Sequence, residues 1–151
     1  IIMIKNFFLY ILLIALWNCG YDPMYSKKDI LNTSIQSLQL EGNKNLNRKI
    51  VSSLNLKNQN KKTGYKLIIN SKKTIEAASK DSTGNISINK TKIIIKVSLN
   101  NGAEILKEKT FSSDFTYNNM ENKFDLSQYQ KDIEMNLINK MVEEIFIFLT
   151  L

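Results

Sequence analysis

Histidine is absent from the 151 residues, and cysteine, proline and tryptophan each occur once. Without imidazole the chain cannot build a Ser-His or Cys-His nucleophile pair, and it has no histidine to hold a metal. A lone cysteine has no partner for an intramolecular disulfide, so the fold must stand without a covalent staple. Arg48 is the single arginine, which leaves the planar bidentate fork for phosphate almost unused. Carboxylate chemistry is what survives, with Glu104, Glu108 and Asp114 on one expected strand. Charges at even spacing along a strand are ordinarily its wet face. We therefore expect no enzyme, no metal and no cofactor.

What is present begins with charge and a hydrophobic run. The net charge is +7, which favours anionic partners, although abundant Lys, Asn and Ile also fit AT-rich coding. Near the N-terminus, Lys5 precedes an apolar run from Phe7 to Trp17. That run is short of the roughly 20 residues a spanning helix takes, and it fits the core of a secretory signal. It lacks the polar face of an amphipathic core helix. Translation is expected to start at Met3, and residues 1–18 read as a signal peptide. The run stops at Cys19, which suggests bacterial lipoprotein chemistry: the thiol is diacylated and Cys19 becomes the new N-terminus, a stable membrane anchor. Asn18 and Trp17 stand where a small residue is usual, so ordinary signal-peptidase cleavage and an uncleaved anchor are the competing uses. For an exported chain the anionic partners would be lipid phosphates or acidic saccharides, not nucleic acid.

Residues 19–32, with Tyr21 and Tyr25 around Pro23, read as an extended tether. Alternation of Leu38 and Leu40, with Ile35 opposite, predicts a strand over 33–41 ended by Gly42. Leu46, Ile50 and Leu54 at fourfold spacing predict an amphipathic helix capped by Asn43 or Asn45. Three extended stretches follow, over 65–79, 85–99 and 103–117, an antiparallel meander. A three-residue Asn100-Asn101-Gly102 loop would pair Leu99 with Ala103, Val97 with Ile105 and Ile95 with Lys107. The middle strand changes phase between Ile88 and Ile93, which predicts a bulge or twist near Lys90-Thr91-Lys92. Each arm would measure about 50 Å if straight, so part of the meander must bend or project. The last segment predicts a helix over 126–149, capped by Asp125, with Phe124 stapled onto Tyr129. Its stripe is Tyr129, Ile133, Leu137, Met141 and Ile145, widened by Ile138, Val142 and Leu149. The expected fold is one α+β domain over 33–151, order β-α-β-β-β-α, with two helices packed on one face of a four-stranded mixed sheet. The ending "IFIFLTL" is apolar nearly all round, so apolar surface should remain for a second protein.

In this order, "CGYDPMY", "LNRKIVSSL", the long meander and "FDLSQYQKDIEMNLINKMVEEI" resemble the LptE family, the lipopolysaccharide-assembly lipoproteins of the Gram-negative outer membrane. Asn18 departs from that family's usual Gly or Ala. The resemblance implies a non-enzymatic plug within the LptD β-barrel, lipid-anchored through Cys19 on the periplasmic side of the outer membrane. It also implies a role in delivering lipopolysaccharide to the outer leaflet. Gly20 supplies no aspartate to retain the lipoprotein in the inner membrane. Lys80, Lys90 and Lys92, near one end of the meander, are the candidate lipopolysaccharide-binding residues, against the plainer reading of solvated lysines. The other reading is a different outer-membrane lipoprotein serving as a transport accessory or structural tether. Intact mass of the membrane-extracted protein should show a chain beginning at Cys19 with acyl mass added; an unmodified thiol or another N-terminus would contradict the anchor.

Overall fold

The computed structural model describes residues 34–57 and 63–151. The expectations for the signal, Cys19 and the tether lie outside the described residues. Along the chain run β1 (Ile35–Gly42), α1 (Lys44–Ser53), β2 (Tyr65–Lys80), β3 (Ile86–Asn101), β4 (Glu104–Asn118) and α2 (Lys123–Thr150). The sheet order is β1-β2-β3-β4, with β1 parallel to β2 and the other pairs antiparallel. The architecture is therefore the expected α+β one, with two helices and a four-stranded mixed sheet.

Alternation decides which side of the sheet is covered. Leu67 and Ile69 of β2 and Ile93, Ile95 and Val97 of β3 are fully buried. They meet Leu46 and Ile50 of α1 and Ile138, Met141 and Ile145 of α2 in one core. Each such side chain contributes about 1.5–3 kcal/mol through removal from water. In β1 a register shift between Ile35 and Ser37 breaks the alternation. It lets Ile35 and Leu38, three apart in sequence, both reach the core. The stripe expected on the second helix is buried at Ile133, Leu137, Met141 and Ile145, while Tyr129 lies edge to face against Tyr117.

Four local expectations are corrected. The β3–β4 turn closes on Gly102 and Ala103, with Asn101 opposite Glu104, and a bulge at Leu99/Asn100 leaves Leu106 extra. Val97 then faces Lys109 and Ile95 faces Phe111. This slide sets Phe111 beneath α2, where its ring meets Phe148 edge to face at 5.9 Å between centroids; the expected register would have put it opposite Thr91. No bulge occurs at Lys90–Lys92. The core-facing positions of β3 continue through Thr91 and Asn89, both buried, and polar partners replace apolar ones. The hydroxyls of Thr91 and Tyr117 are 3.1 Å apart, and Gln130 donates to Tyr117 at 2.9 Å. The cap of α2 is Asn122, whose side chain accepts from the Phe124 amide at 2.9 Å, not Asp125. Phe124 stays 78% exposed, so the staple onto Tyr129 does not form.

Of the two caps open for α1, Asn43 is the one used, accepting from the Asn45 and Leu46 amides. The turn into it is crowded. The Asn43 amide donates to the Ser71 carbonyl at 2.9 Å, and buried Asn47 donates to the Glu41 carbonyl and accepts from Ser71 Oγ. Gly42 has φ +80, and a Cβ there would stand 2.2 Å from the Ser71 carbonyl oxygen. Gly42→Ala should therefore cost about 2 kcal/mol or more, from left-handed strain and loss of the turn's close approach. A fall in the urea midpoint checks this, and an unchanged midpoint would contradict it.

Candidate functional site

Even-numbered positions of β3 point away from the helices and build an open face. Lys90, Lys92 and Lys96 lie there, with Ile94 between the last two and Ile88 before the first, and β2 adds Lys72 opposite Ile94 and Thr74 opposite Lys92. Of the candidate lysines, Lys90 pairs with Asp114 at 3.2 Å. Lys92, half-buried, has neighbours Thr74 and Asp114 in register. Lys80 is exposed at the far end of β2, opposite Ile86 and beyond the register shifts at Ala77–Lys80. The structure thus brings Lys90 and Lys92 together on one face and sets Lys80 toward the tip. There Asp81 accepts from the Thr83 hydroxyl and from the amides of Thr83 and Asn85. Cys19 lies outside the described residues.

The three carboxylates singled out from the sequence are not gathered. Glu108 is bound by Lys96 at 2.9 Å and by Ser98 Oγ at 2.7 Å, which hold its carboxyl below the usual range. Asp114, six residues along the same strand, is about 20 Å away at strand rise, and Glu104 sits at the turn. Among the described residues no three acidic side chains stand close enough to share a metal ion.

The covered side holds a carboxylate missed by the sequence reading. Glu134, its side chain 10% exposed, takes one lysine on each oxygen: Lys49 of α1 at 2.6 Å and Lys73 of β2. Burial works to raise its carboxyl, but the two hydrogen bonds and the two charges outweigh burial and hold it below its ordinary 4.5. The signal was its spacing: Glu134 lies in line with Ile138, Met141 and Ile145, an acid in an apolar stripe. Beside it opens a cavity of about 480 Å³ lined by Asn43, Asn45, Arg48, Lys49, Lys73, Lys131 and Glu134. Along the same turns of α2, toward β4, a mainly apolar slot of about 130 Å³ is lined by Phe115, Tyr129, Asp132, Ile133, Asn136 and Leu137.

Apolar side chains also remain uncovered at the end of α2 and at the β3–β4 turn. Ile147 is 53% and Leu151 90% exposed at the end of α2, and Ile105 and Leu106 are exposed at the β3–β4 turn. The expected apolar surface is therefore present, although Ile145, Phe146 and Leu149 of the same terminal segment are buried.

No protein-family model matches the chain, and no curated protein matches its sequence. Solved structures do. A minor lipoprotein from Acinetobacter baumannii aligns at TM-score 0.60 and 11% identity, over 78% of this chain and 90% of that one. The rare lipoprotein B from Shewanella oneidensis aligns at 0.52 and 11%, over 72% and 92%. An uncharacterised lipoprotein B from Nitrosomonas europaea aligns at 0.54 and 8%, over 75% and 79%. The chain shares its fold with these lipoproteins.

The Glu134 cluster makes a prediction. A carboxylate whose folded pKa is lowered adds stability above its unfolded value and loses it as pH falls through the folded one. Stability should fall as the pH is taken below about 4.5. Glu134→Gln should cost about 2 kcal/mol at pH 7 and flatten that acid limb. Denaturant midpoints across pH 3–7 measure both, and an unchanged acid limb in the variant would refute the assignment.

Proposed function

We propose that this protein is an outer-membrane lipoprotein of the LptE kind, anchored through an acylated Cys19 and seated in an LptD-type β-barrel that delivers lipopolysaccharide to the outer leaflet. The observation that carries the reading is the pairing of this fold, found in lipoproteins, with apolar surface uncovered at the end of α2 and at the β3–β4 turn. A small domain exposes such a surface where another protein is to cover it. The proposed role is non-enzymatic, a reading supported by the engagement of Asp114 by Lys90 and of Glu108 by Lys96 and Ser98, and by a sequence without histidine. The open lysine-isoleucine face, with Lys90 and Lys92, and Lys80 toward the tip, fits a glycolipid that offers both phosphate and acyl chains.

The alternative, a lipoprotein acting as transport accessory or structural tether, differs in having no barrel partner. Extraction of membranes in mild detergent and capture of the full chain should recover a large β-barrel in a one-to-one complex. Charged substitutions Ile147→Asp and Leu106→Asp should reduce that recovery, because both place charge on surface to be buried. Recovery of the chain alone from every extraction would favour the tether.

A further inference from the structure

The cavity beside Glu134 has an unbalanced charge. Arg48, Lys49, Lys73 and Lys131 line it, and Glu134 is the one carboxylate among its lining residues. Glu134 neutralises one positive charge and is shared by two lysines, so the cavity keeps an excess of about three. The cations come from three elements, α1, β2 and α2, and converge on one volume of about 480 Å³. Asn43 and Asn45 complete the wall with uncharged amides. No acidic residue occupies the first turn of α1, so no charge within the helix offsets its positive end.

The wall is also ordered in a way that suits a ligand. Lys49 and Lys73 are held by Glu134, and Arg48 donates from Nη2 to Asn45 Oδ1 at 2.9 Å, which leaves other guanidinium N–H groups available. A single guanidinium with three ammonium groups matches a compact oxyanion carrying two or more charges: the fork takes two oxygens and the ammoniums act as point charges. A monocarboxylate would leave most of that charge unanswered.

We infer that this cavity is a binding site for a phosphate-bearing anion, a phosphomonoester or pyrophosphate group, with Arg48 and Lys131 as its principal ligands and Lys49 and Lys73 as positioned support. It lies on the helix side of the sheet, whereas Lys90 and Lys92 lie on the open side, and it requires no barrel, so it stands apart from the proposed assembly. The group belongs either to a soluble phosphate compound or to the headgroup of a lipid.

The test uses the full chain in neutral detergent, without a barrel. Inorganic pyrophosphate is titrated by calorimetry at fixed ionic strength, with acetate as comparison, and in a second arm phosphatidic acid is added to the micelles with phosphatidylcholine as comparison. Pyrophosphate should bind where acetate does not, and binding should weaken as salt rises. Arg48→Glu with Lys131→Glu should weaken it about tenfold or more. Both residues are exposed and outside the Glu134 bridges, and circular dichroism together with the milder Arg48→Ala, Lys131→Ala pair guards against misfolding. Lys140→Glu, at an exposed position of α2 outside the cavity lining, should leave binding unchanged. Tighter binding of phosphatidic acid than of pyrophosphate assigns a lipid headgroup, and the reverse assigns a soluble compound. Absence of binding in both arms, or equal binding by the charge-reversed variant, overturns the site.

Discussion

Two helices of very unequal length have to shield one face of a sheet whose long strands measure about 50 Å, and this mismatch organises the molecule. The 28 residues of α2 extend about 42 Å and lie along β3 and β4. The ten residues of α1 extend about 15 Å, and with the short β1 they cover the first half of β2. Where that cover ends, the inward-facing positions turn from Leu67 and Ile69 to Ser71 and Lys73, and across the sheet from Ile93 to Thr91 and Asn89. Glu134 stands at this border and takes Lys73 from the sheet and Lys49 from α1. A buried carboxylate lacking either cation would carry a desolvation penalty that the remaining pair could not repay. The same bridge fixes how α2 is rotated over the sheet, and so decides which of its side chains face outward at its far end.

Function is read from the two surfaces this arrangement leaves. The open face of the sheet is cationic with Ile94 between Lys92 and Lys96, and two of its acids are engaged locally, Asp114 by Lys90 and Glu108 by Lys96. On the covered side the cations converge about one concavity, and apolar residues emerge at the end of α2 and along the slot beside Phe115. Cationic and apolar surface are thus separated in space within one small domain.

Element type and order were legible because they rest on strong periodicities: Leu46-Ile50-Leu54 for α1, Ile133-Leu137-Met141-Ile145 for α2, and β-branched runs between glycine turns. Registers were not. Whether Ile95 faces Lys107 or Phe111 is decided by Phe148, a contact with a residue 37 positions along the chain. The apparent phase change in β3 misled because alternation was judged by hydrophobicity alone. Thr91 and Asn89 occupy core-facing positions and are satisfied by polar partners, a substitution that periodicity cannot distinguish from a bulge. At the candidate sites, Lys90 and Lys92 were legible as neighbours on one strand face. The cavity was not, because Arg48, Lys73 and Lys131 lie on three elements whose approach depends on tertiary packing.

The partial pairing of β2 bears on how the molecule behaves among copies of itself. β1 ends opposite Ser71, so among the described residues no strand pairs with the outer side of the remainder of β2, to Lys80, and such an edge is the kind of template that recruits further strands. This stretch carries Lys72, Lys73, Glu76 and Lys80, and its register shifts at Ala77–Lys80 distort the hydrogen-bonding row just where cover is thinnest. A neighbouring strand would have to bury those charges and follow an irregular backbone. An edge built this way keeps concentrated copies of the chain from stacking edge to edge.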